Sequence, residues 1–116
     1  MLILVIDDEV AIVELLAELL TDEGYQVQTA YDGRSALVLL RTGLRPRIII
    51  SDIMMPGLDG WGVYHALRSE LPLSDVGVVL MSAGRGRPTN LDDPRATFIQ
   101  KPFSVPDMLD AIARVS

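Results

Sequence analysis

The chain has 116 residues, 49% of them hydrophobic, and its 16 acids against 10 bases give a net charge of -6. That length suits one domain with a real core, expected over 1–116, and the acidity argues against a nucleic-acid surface and in favour of a cation as ligand. The absence of cysteine excludes disulfides and thiolate metal sites and suits a cytoplasmic protein, while no apolar run approaches the ~18 residues of a membrane span and the N-terminus lacks a signal peptide's basic leader.

Apolar runs alternate with amphipathic stretches, with no repeat or long linker between them, which predicts a parallel sheet with crossover helices. The first run, "LILVI" at 2–6, reads as a strand buried on both faces, yet it leads straight into Asp7, Asp8 and Glu9. Two carboxylates about 4 Å apart repel by roughly 4 kcal/mol at an effective dielectric of 20, so something must offset them. A helix follows, with Ile12, Leu15, Leu16, Leu19 and Leu20 as its core stripe and Gly24 as its stop.

"YQVQTA" alternates as a short strand, a second helix runs from near Asp32 to Gly43, and "RIIIS" is a buried strand that delivers Asp52 to its end. "MMPGLDGWG" is rich in turn residues and leads into a helix carrying Val63, Ala66, Leu67 and Leu71. "VGVVLMS" is a fourth strand, "TFIQ" a fifth ending at Lys101, and "SVPDMLDAIARV" a last helix with Ser104 as N-cap. Open α/β sheets bind ligands beyond the carboxyl ends of their strands, and Asp7, Asp8, Asp52, Ser82 and Lys101 all fall there.

Taken singly, each of these residues has an ordinary explanation. Asp7 or Asp8 would cap the first helix, Asp52 would be a turn acid, Ser82 a loop hydroxyl, Lys101 a solvated charge and Phe98 core. His65 reads as a surface residue, and Trp61 and Tyr64 as packing residues. Jointly, "DDE" after the first strand, "SDIMMPGLDG" around Asp52, "MSA" after the fourth and "KPF" at 101–103 form a pattern. In that order and spacing the chain resembles the receiver domains of two-component response regulators over essentially its whole length.

The resemblance implies a flavodoxin-like, five-stranded parallel sheet of order 2-1-3-4-5. It implies a Mg²⁺-dependent phosphoacceptor, Asp52, charged by a histidine kinase or histidine phosphotransfer protein. Asp8 and Asp52 would then coordinate the metal directly with the main-chain carbonyl of Met54, and Asp7 through water. Lys101 would contact the phosphoryl group across a cis bond to Pro102, Ser82 would be the switch hydroxyl and Phe98 the switch aromatic.

The partner's helix would dock on the first helix near Val10, Val13 and Ala17, which are expected to lie off the core stripe. Such a domain is a signalling switch that catalyses its own phosphorylation and dephosphorylation, rather than a turnover enzyme. Two other readings stand beside it. A phosphorylation-independent docking module would usually have lost an acid, the hydroxyl or the lysine, and an aspartyl phosphatase of the haloacid-dehalogenase type would carry D-x-D where this chain has Asp52-Ile53-Met54.

The departure from the family lies between Ser82 and Lys101, where a receiver fits a full fourth helix. Gly84, Gly86 and Pro94 disfavour helix and Pro88 suits only a helix start, so 84–95 is expected to be a loop or one short turn. The cognate kinase, the output partner, the oligomeric state, and whether the receiver stands alone or is part of a longer protein are left open.

Overall fold

A computed structural model describes residues 1–70, 73–83 and 92–116. Its strands are β1 (Leu2–Ile6), β2 (Gln26–Ala30), β3 (Ile48–Asp52), β4 (Gly77–Ser82) and β5 (Ala96–Gln100), and the helices among the described residues are α1 (Val10–Asp22), α2 (Gly33–Arg41), α3 (Gly60–Ser69) and α4 (Val105–Val115). The strands form one parallel sheet of order β2-β1-β3-β4-β5, as expected. The central strands are buried along almost their whole length, and their side chains alternate between two core layers. Leu4, Ile6, Ile49, Val78 and Leu80 pack with α2 and α3, whereas Ile3, Val5, Ile48, Ile50, Val79 and Met81 pack with α1 and α4.

Local chemistry sets the helix ends. The Asp32 side chain accepts from the Ser35 amide to open α2, and Asp59 accepts from Gly62 to open α3. Ser104 and Asp107 form a reciprocal capping box at α4. Helix α1 ends just before Gly24, whose φ of +94° is strained for any residue with a Cβ.

The expected face of α1 requires correction. Val13 is not on an outer face: it is fully buried beside Leu16 and Leu20, while Leu15, assigned to the core stripe, is half exposed. Ile12 and Leu19 are only partly buried. The helix is apolar around most of its circumference, so two overlapping stripes were compatible with the spacing. The exposed acids Glu14 and Glu18 mark the outward direction that packing selected.

Helix α3 carries Val63, Ala66 and Leu67 in the core as expected, whereas Leu71 lies outside the described residues. The expectation of a loop or single turn over 84–95 falls largely on 84–91, also outside them. Asp92 and Asp93 have no regular structure, and Pro94 and Arg95 form a turn that enters β5.

Candidate functional site

Strand register brings the chemistry to one line. Ile6 lies opposite Ser51, so the next residues, Asp7 and Asp52, come level at the ends of β1 and β3, where the strand order reverses direction. Asp52 is level with Met81, and Ser82 with Gln100, which sets Lys101 just beyond. The Lys101 amide donates to the Ser82 carbonyl at 2.8 Å, and the Lys101–Pro102 peptide is cis.

Asp7 and Asp52 are buried, Asp8 is exposed, and carboxylate oxygens of all three lie within 4.8 Å of one another. Neither Asp7 nor Asp8 caps α1: the N-cap position is Glu9, with no side-chain cap bond. Asp7 instead accepts from the Glu9 amide at 2.9 Å through Oδ1 and from Lys101 Nζ at 2.8 Å through Oδ2. Lys101 Nζ also lies 3.3 Å from Asp52 Oδ1.

Burial, then the charge of Asp7, push the Asp52 carboxyl above its ordinary range, and Lys101 only partly reverses this. For Lys101, burial acts to lower the pKa, but the hydrogen bond to Asp7 and the charges of Asp52 and Asp7 prevail and raise it. One lysine therefore faces three carboxylates, and negative charge is left in excess. An all-oxygen acid cluster with that excess suits a hard divalent cation.

Other residues expected to function are placed as follows. Ser82 is partly exposed at the end of β4, and Met54, two residues past Asp52, is largely exposed. Phe98 packs against the α2/α3 core layer, its ring 5.6 Å from that of Trp61. Trp61 and Tyr64 are partly buried against the α2/α3 core layer, and His65 is exposed, as expected.

One network was not foreseen. Asp93 accepts from the Tyr64 hydroxyl at 2.7 Å, from Arg68 Nε at 2.9 Å and from the Arg95 amide at 2.9 Å, tying α3 to the entry of β5. The i,i+4 spacing of Tyr64 and Arg68 hinted at a shared partner, but nothing in the sequence pointed to Asp93.

Comparison with known proteins agrees with this architecture. The chain is 42% identical over 115 residues, 97% of its length, to a probable transcriptional regulator ycf27 of Porphyra purpurea, of which the match covers 45%. It thus spans about half the length of that curated relative. The chemotaxis protein CheY4 of Vibrio cholerae superposes with a TM-score of 0.85 at 29% identity, covering 99% of this chain and 98% of that one. The response regulator TrrA of Thermotoga maritima, solved in complex with Mg²⁺-BeF, gives a TM-score of 0.85 at 32% identity over 99% and 98% of the two chains. The family model for the response regulator receiver domain matches residues 3–113, and the chain belongs to that family.

Proposed function

We propose that this receiver takes a phosphoryl group from a phosphohistidine of a histidine kinase or phosphotransfer protein onto Asp52, in a Mg²⁺-dependent reaction, and changes conformation in response. The observation that carries the reading is the gathering of three carboxylates against one lysine at the ends of the central strands. In the transfer, an Asp52 oxygen forms a bond to phosphorus as the P–N bond to the histidine breaks, and the electron pair leaves on the imidazole. The attack joins two anions, so nearby positive charge lowers its barrier.

Lys101 provides one such charge. Mg²⁺ held by Asp8, Asp52 and the main-chain carbonyl of Met54, with Asp7 acting through water, would neutralise the remainder; that TrrA was solved with Mg²⁺-BeF supports Mg²⁺ as the metal. Lys101 then holds the transferred group, and the Ser82 hydroxyl and the amide near Ala83 donate to its oxygens. Ser82 and Phe98 carry the change of state to the surface. The same charges promote hydrolysis of the acyl phosphate, which makes the domain a self-catalysed switch.

The phosphodonor's helix meets α1 where it begins, two residues after Asp8. Val10 is 51% exposed there and Ala17 partly so, whereas Val13 is unavailable to a partner. The domain acts in the cytoplasm and touches no nucleic acid itself.

Intact-mass measurement after incubation with Mg²⁺ and acetyl phosphate tests the reading. The wild-type protein gains one phosphoryl group and Asp52→Asn gains none. Equal mass gain in the Asn variant would overturn the assignment of Asp52.

A further inference from the structure

The loop between β3 and α3 is fastened at several points. At its base the Gly60 amide donates to the Ile53 carbonyl at 3.0 Å, and a Cβ on Gly60 would lie 2.4 Å from the Asp52 carbonyl oxygen, so only glycine permits that approach. Met55 is buried in the α2/α3 core layer, and Asp59 caps α3 by accepting from the Gly62 amide at 2.9 Å. Met54, between these anchors, is 74% exposed and has no side-chain purchase of its own.

The remaining anchor is Leu58. A Cβ on Gly62, in the first turn of α3, would lie 2.3 Å from Leu58 Cδ1. A Cβ on Gly33, the first residue of α2, would lie 2.4 Å from the Leu58 carbonyl oxygen and 3.1 Å from its Cβ and Cγ. Leu58, partly buried, therefore sits in a slot between two glycines 29 positions apart in sequence, its main chain and side-chain base against Gly33 and its side-chain tip against Gly62. Each wall belongs to a helix opened by its own aspartate cap, Asp32 for α2 and Asp59 for α3.

We propose that Leu58 is a positioning residue: seated in this glycine slot, it fixes the main chain of residues 53–57 and with it the approach of the Met54 carbonyl to the acids. The last step rests on the metal reading given above. Helix α2, which contributes no residue to the charge cluster, thereby helps to shape the site through its first residue. An equivalent amount of ordinary packing would stabilise the fold without setting the loop, and the two roles separate experimentally.

The test compares wild type, Leu58→Ala and Leu58→Met, first without metal by amide exchange and then by titration with Mg²⁺ alone, with thermal melts alongside. In Leu58→Ala, exchange at the Gly60 amide rises roughly tenfold while the Ile49 and Ile50 amides of β3 keep their wild-type protection. The Mg²⁺ dissociation constant weakens about tenfold, the scale seen when a group that orients a metal ligand is lost. Leu58→Met, which refills the slot with a flexible apolar chain, restores both. A Leu58→Ala protein that melts earlier yet keeps wild-type Gly60 exchange and Mg²⁺ affinity would overturn the proposal and leave Leu58 as packing. If wild type itself took up no Mg²⁺, the metal reading would fall, and the metal-free exchange comparison would still decide whether Leu58 sets the loop.

Discussion

Asp52→Asn is expected to make the metal-free protein more stable while abolishing its chemistry. With carboxylate oxygens no more than 4.8 Å apart, Asp7 repels Asp52 by at least about 3.5 kcal/mol at an effective dielectric of 20, and water-exposed Asp8 adds about 1 kcal/mol at a dielectric near that of water. Lys101 Nζ at 3.3 Å returns about 5 kcal/mol on the same scale. The charges nearly cancel, and what remains is the cost of keeping a carboxylate out of water, roughly 2 kcal/mol. Burial is likewise the leading cause of the raised Asp52 pKa.

Asparagine has nearly the same shape and can still accept from Lys101, so removing the charge relieves most of that cost. A gain of about 2 kcal/mol corresponds to roughly 8 °C in melting temperature for a domain of this size. Mg²⁺ should raise the wild-type melting temperature and barely move the variant's, so the gap closes as metal is added. A variant that melts at or below wild type in metal-free buffer at neutral pH would refute the charge accounting.

Lys101→Ala should cost about 3 kcal/mol without metal, because Asp7 is left buried and unpaired, and Mg²⁺ should recover part of the loss; melts with and without the metal check both halves. Asp93 gives a pH signature. Burial opposes its ionisation, but the bonds from Tyr64, Arg95 and Arg68 prevail and lower its pKa from the ordinary 3.8. Its contribution is therefore fully present above 3.8 and is lost as pH falls through the depressed folded value. Asp93→Asn should cost about 2 kcal/mol at pH 7, and acid titrations of both proteins should converge at low pH; a constant difference down to low pH would refute this role.

β1, β3 and β4 were legible because each is an uninterrupted apolar run bounded by turn residues or charges, β2 because it alternates, and Asp7, Asp8 and Asp52 stood out because acids seldom follow such runs. The rotation of α1 was not legible. With apolar residues at 10–13, 15–17 and 19–20, the helix lacks a polar face broad enough to fix its orientation, and the sheet made the choice. Sequence placed Lys101 among the acids but gave no sign that it would bind Asp7 more closely than Asp52, since that depends on strand register. The Leu58 slot was hidden for a related reason: Gly33 reads as the start of one helix and Gly62 as part of another, and only the fold brings them together. Asp93 sits in a stretch whose polar and proline residues suggested only a loop.

The ion pair between Lys101 and Asp7 joins residues 94 positions apart. Closing a loop of that length is among the slower events available to a chain this size, and it can persist only once β3 and β4 have filled the space between the outer partners. A nascent or partly unravelled copy has the same acids, but dispersed along a coil, and presents no concentrated charge for a divalent cation to find. The charge cluster is thus assembled only when strands from the two ends of the chain stand in one sheet.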